Sequence, residues 1–171
     1  LGIEFPLFAF SHCRDVVASV TRAGGYGVLG AAGHSPEELD IDLRWIAEQV
    51  GDRPFGVDII VPAKYEGKDQ GELAVRTLKD MIPAGHRAFV DDLLDRYGVP
   101  PIPADARPAG RGGEAAAPMS YAQAVPLMDV AFSHPISLIV NALGPPPPDM
   151  IERAHAQGVK VGALAGKKSH A

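Results

Sequence analysis

The sequence predicts an α/β protein built on a parallel sheet of about five strands. Three observations carry this. A short apolar run, a Gly-rich or polar turn and an amphipathic helix recur along the chain. The apolar runs are near-continuous and do not alternate, which is how strands covered on both faces read. The 171 residues can bury a real core, yet a closed eightfold barrel takes roughly 200 to 250.

Residues 6–10 (PLFAF) form the first run, and residues 14–23 a helix closed by Gly24 and Gly25. Residues 26–31 (YGVLGA) form the second. A well-signalled helix follows, with Ser35 as N-cap, Pro36 at its first position and Glu38 completing a capping box. Leu39, Leu43, Ile46 and Val50 then share one helical face, and Gly51 ends the helix. Residues 55–61 (FGVDIIV), 137–143 (SLIVNAL) and 159–165 (VKVGALA) supply strands three to five. Between the last two, residues 149–157 read as a helix with Met150, Ile151 and Ala154 inward, stopped by Gly158.

Residues 63–135 break this rhythm. Helices are expected around residues 71–81 and 87–97, and the Pro-, Ala- and Gly-rich residues 100–118 have no periodicity. This stretch reads as an insertion after strand three. Residues 1–171 thus form a single incomplete domain, since neither end reads as a domain boundary.

Composition narrows the function. The chain is 46% hydrophobic and 22% charged, and its net charge of −5 is spread along its length. Without a Lys/Arg cluster there is no footprint for nucleic acid, and the acidic balance disfavours an anionic membrane surface. No run approaches the ~18 apolar residues of a membrane span, and no signal peptide opens the sequence. A single cysteine, Cys13, makes no internal disulfide, so a reducing cytoplasm is the expected compartment.

In parallel α/β architectures ligands bind beyond the carboxyl ends of the strands. Small residues predominate at those positions here, as where backbone approaches a flat or anionic ligand closely. Asp58 is a charge in an otherwise apolar strand, so it is bound to a ligand or held in a structural ion pair. Asn141 is the matching polar residue of strand four, facing a ligand or hydrogen-bonding across the sheet. His12 follows strand one, as a site-lining group or an ordinary polar residue at a strand end. Cys13 has no visible base partner and reads as a packed small residue at a helix start. His34, His86, His134 and His155 fall in loops or on helix surfaces without metal-ligand spacing, so no metal is expected.

The segments LGIEFP, AGGYGVLGAAGHSPEEL, RPFGVDIIVP and VNALGPPPPDMIERAHAQGVKVGAL resemble the nitronate monooxygenase (2-nitropropane dioxygenase) family. They cover most of the chain outside the insertion. The resemblance implies a partial (β/α)8 (TIM) barrel of flavin-binding type, supplying about five of its strands. It implies FMN as cofactor, with a nitronate-like small molecule and O2 as substrates. It also implies which residues border the flavin: Ala9, Phe10, Ser11 and His12 where the family has Gln-Ala-Pro-Met, together with Asp58 and Asn141. Asp58 stands where the family commonly has Asn. An ionised carboxylate only accepts hydrogen bonds, so it suits a ring N–H and not a carbonyl. The family's catalytic His and phosphate-binding turns fall after the fifth unit, so the catalytic residue is expected beyond this sequence. Related flavin barrels reduce enoyl thioesters, a second substrate class for the same fold. A third reading is a non-catalytic half-barrel whose open edges pair with a second copy, making a homo-oligomer.

Overall fold

The computed structural model describes residues 1–62, 81–101 and 121–166. The chain divides into two compact units, Leu1–Ala63 with Glu114–Ala171, and Lys64–Gly113. The first unit holds strands β1 (Phe8–Ser11), β2 (Tyr26–Gly30), β3 (Gly56–Ile59), β4 (Leu138–Asn141) and β5 (Lys160–Ala163). All pairings are parallel and the strands stand in sequence order, β1-β2-β3-β4-β5. Each strand is shorter than the apolar run that announced it, because the run continues into the adjoining loops.

Helix α1 (Arg14–Arg22) follows β1, and α2 (Pro36–Val50) follows β2. The capping box of α2 forms as expected. The Ser35 hydroxyl accepts the Glu38 N–H at 3.2 Å, and the Glu38 carboxylate accepts the Ser35 N–H at 2.9 Å. Two orphan donors of the first turn are thereby satisfied. Leu39, Leu43 and Ile46 are fully buried against Val17, Leu29 and Val57 in one continuous core. Gly27 fixes how closely α1 meets β2, because a Cβ there would lie 2.4 Å from the Val17 carbonyl oxygen.

In the second unit, α3 (Ala84–Arg96) begins three residues before the helix expected from residue 87. Its residues are exposed throughout. The other expected helix, at 71–81, lies outside the described residues except for Met81, which sits in a turn. Most of the stretch at 100–118 also lies outside them.

Helix α4 (Tyr121–Phe132) is a difference from the sequence reading, which ran the insertion through residue 135. It belongs to the first unit and buries Ala124, Leu127, Met128, Ala131 and Phe132 in the main core. Two features hide it in the sequence. It is apolar nearly all round, so no 3.6-residue stripe stands out, and Pro126 lies inside it and removes one helical hydrogen bond. Helix α5 (Pro148–Ala156) then leads into β5, with Met150 and Ala154 buried as expected. Half-buried Ile151 was expected to point inward as well.

Candidate functional site

Strand register sorts the side chains into two faces. Tyr26, Val28 and Gly30 alternate with Gly27 and Leu29, and the Gly27 side meets α1. Pairing of Gly30 with Asp58 and of Asp58 with Val140 carries the opposite face across the sheet. On this open face Val140 pairs with Gly162. At its carboxyl-terminal end a row of small residues therefore holds one ionisable group, Asp58.

The other end of the open face is closed. Tyr26 is fully buried, with its hydroxyl 2.6 Å from Ser137 Oγ and donating to the Phe55 carbonyl at 3.3 Å. Burial pushes the Tyr26 phenol up from its ordinary value. Phe8 stacks beside it at 5.1 Å between ring centroids. An apolar floor thus lies beneath a polar mouth.

At the mouth, His12 Nδ1 lies 2.9 Å from the Gly30 carbonyl oxygen. A carbonyl only accepts, so Nδ1 donates in this contact. The seat for this ring depends on Gly30, since a Cβ there would stand 2.7 Å from His12 Cε1 and Nδ1. Phe10 meets the imidazole edge-on, with ring centroids 5.1 Å apart and planes at 80°.

Asp58 is 5% exposed, and among the described residues no hydrogen bond or ion pair reaches its carboxylate. Burial raises its pKa to about 6, and the nearby charge of His12 opposes that rise. The structural ion pair weighed from the sequence is absent among the described residues.

The other expected site residues separate. Ala9 and Ser11 are half-buried and alternate with Phe10 onto the helix-facing side, and Ser11 Oγ accepts the Cys13 N–H at 3.0 Å. Only Phe10 and His12 of that turn present side chains to the mouth. Asn141 pairs with Ile59 in the register and so lies on the face opposite Asp58. Its Oδ1 accepts the N–H of Val61 (3.0 Å) and of Leu143 (3.3 Å), and its Nδ2 donates to the carbonyls of Val61 and Pro145, both at 3.2 Å. The amide is fully engaged in shaping the loops after β3 and β4. Cys13 is exposed at the N-cap of α1, not packed away.

One constellation escaped the sequence reading. Asp42 is buried in α2, 3.1 Å from both Arg14 Nη1 and His34 Nε2. Arg14 also lies over the Trp45 ring at 4.7 Å. His34 is buried, unlike the loop or surface position expected, and its Nδ1 has no hydrogen-bond partner. The available signal was Asp42 itself, an acid on the buried stripe between Leu39 and Leu43. Among the described residues no group of acids, histidines and cysteines could hold a metal ion. No described helix is long and apolar enough to cross a membrane.

The fold is that of a partial TIM barrel. Nitroalkane oxidase from Streptomyces ansochromogenes superposes with a TM-score of 0.64 at 18% identity, over 99% of this chain and 42% of its own. FabK from Thermotoga maritima superposes with a TM-score of 0.54 at 18% identity, over 98% and 36% respectively.

The sequence matches the nitronate monooxygenase family over residues 6–171, and the chain belongs to that family. Rv1533 of Mycobacterium tuberculosis, provisionally named a monooxygenase, is 54% identical over all 171 residues. A provisionally named nitronate monooxygenase of Staphylococcus aureus is 32% identical over 68 residues, 37% of this chain and 19% of its own. The chain spans 45% of the length of Rv1533.

Proposed function

We propose that this chain forms the β1–β5 portion of an FMN-dependent oxidoreductase that oxidises nitronates with O2. Its 171 residues are read as one incomplete barrel domain carrying an insertion between β3 and β4. The observation that carries the reading is Asp58, a buried carboxylate without a described partner, at the ligand end of a sheet from this family. A carboxylate at this position with no protein donor is open to accept a hydrogen bond from a ligand N–H.

The residues at the mouth fit a flavin. Asp58 suits the ring N–H, the backbone of residues 9–12 runs along the first strand's end, and exposed Phe10 offers an apolar wall. Asn141 serves indirectly, by holding the loops that rim the mouth. FMN, when bound, supplies the electron transfer between nitronate and O2. The protein's share is to bind and orient the anion and to exclude water. A cytoplasmic setting suits the exposed free thiol of Cys13.

The test is direct. Chain purified with added FMN is expected to retain the yellow colour through gel filtration, and Asp58→Ala to lose it. A wild-type chain that stays colourless would overturn the reading.

A second reading draws on the edges. β1 and β5 each have one neighbour, and Phe5, Leu7, Phe8 and Phe10 near the β1 edge are more than half exposed. Such edges pair readily with further strands, so a self-associating half-barrel predicts a colourless oligomer in the same experiment.

A further inference from the structure

We propose that the Asp58 side chain sets the redox balance of the bound flavin, its negative charge making the ring harder to reduce than free FMN. The proposal rests on the reading that the mouth holds FMN. It deepens that reading by giving the departure from Asn at position 58 a consequence of its own.

Register carries the first step. Asp58 stands between Gly30 of β2 and Val140 of β4, and Val140 pairs in turn with Gly162 of β5. None of these neighbours has a polar side chain to share or spread a charge. The residue is 5% exposed, and among the described residues no hydrogen bond or ion pair reaches its carboxylate. Its backbone carbonyl accepts the Ala31 N–H at 2.8 Å, which seats it where β2 leaves the sheet.

The second step concerns counter-charges among the described residues. Arg14 pairs with Asp42 and lies over the Trp45 ring. Lys160 shares the open face but stands exposed at the start of β5, at the floor end. The field of His12 reaches the carboxylate and opposes the burial that raises its pKa to about 6. That ring is held at the Gly30 carbonyl by its Nδ1. At pH 8 Asp58 is therefore ionised, in surroundings that screen a charge poorly.

The electron count gives the sign. Dithionite is oxidised to sulfite, and two electrons enter the ring with one proton at pH 8. The ring thereby gains one negative charge, and a nearby carboxylate opposes that gain. Asn at position 58 keeps an acceptor oxygen and carries no charge, so it offers no such opposition. A ring that is harder to reduce also passes its electrons to O2 more readily.

The test is a reductive titration of the FMN-loaded chain with dithionite against a reference dye at pH 8. The wild-type midpoint potential is expected below that of free FMN. Asp58→Asn should raise it by at least ~30 mV, a ~10-fold change in the ratio of dissociation constants for oxidised and reduced FMN. A wild-type potential at or above that of free FMN overturns the proposal. So does an Asp58→Asn potential equal to or below wild type. The comparison with free FMN needs no variant, so it decides the matter even where Asp58→Asn fails to fold or to hold FMN. A yellow chain with an unmoved potential loses only the charge effect, whereas a colourless chain loses the flavin reading as well.

Discussion

Asn141 grips Val61 by both backbone groups, accepting its N–H at 3.0 Å and donating to its carbonyl at 3.2 Å. This fastens the segment after β3 to the end of β4, across the point where the 63–120 stretch interrupts the sheet. Nothing else the side chain could do is left over, because its remaining capacity goes to Leu143 and Pro145.

Asn141→Ala strands buried polar groups on both loops, at about 1–3 kcal/mol for each group left unsatisfied. A loss of about 3 kcal/mol or more is expected in urea denaturation. Asn141→Asp keeps the two accepted bonds and loses the two donated ones, so it should fall between wild type and Ala.

Asp58 makes stability depend on pH in a defined direction. Its folded pKa, about 6, exceeds the ordinary 3.8, so folding favours the protonated form. The stabilisation is complete below pH ~4 and is lost as pH rises through ~6. Asp58→Asn has no charge to desolvate. Its melting temperature should match wild type near pH 4 and exceed it by a growing margin toward pH 7. Equal margins at both pH values would refute this.

Asp42 joins Arg14 at the start of α1 to His34 in the loop after β2. Removing one member of a buried charged cluster leaves its partners uncompensated, at about 3–5 kcal/mol. Asp42→Ala should lose about 3 kcal/mol, the lower figure because Arg14 is one-third exposed. Arg14→Met, which keeps length and apolar stem, should lose less. Chemical denaturation of both variants in parallel tests the order.

Two glycines make a contrasting pair. Gly27→Ala drives a methyl against the Val17 carbonyl at 2.4 Å, and a backbone neighbour cannot swing aside. It should separate α1 from β2 and lower the melting temperature sharply. At Gly85, in α3, a Cβ meets nothing within 4 Å. Gly85→Ala should stabilise α3 by about 0.5–1 kcal/mol through the unfolded chain's entropy, read as slower amide exchange in that helix.

Legibility in the sequence followed periodicity. The five strands were readable because each lies in a near-continuous apolar run, buried throughout in β2 and β3 and partly exposed in β1, β4 and β5, and α2 because Ser35, Pro36 and Glu38 announce its start. Helix α4 was not, since apolar residues stand on its exposed side too, Ala122 and Pro126 among them, and blur the stripe that marks a helix. Asp58 and His12 were visible as polar interruptions at strand ends. Which face each residue takes was not, because one step of register decides it. That step puts Asn141 and Asp58 on opposite sides of the sheet.

The β1-β2-β3-β4-β5 order has a bearing on how the unit assembles. Every strand docks on the one made just before it, so a chain emerging from the ribosome can add its units in turn. The one long wait is between β3 and β4. Loop-closure cost grows only with the logarithm of length, so a long detour there taxes folding speed little, and this junction is where the sheet best tolerates extra chain.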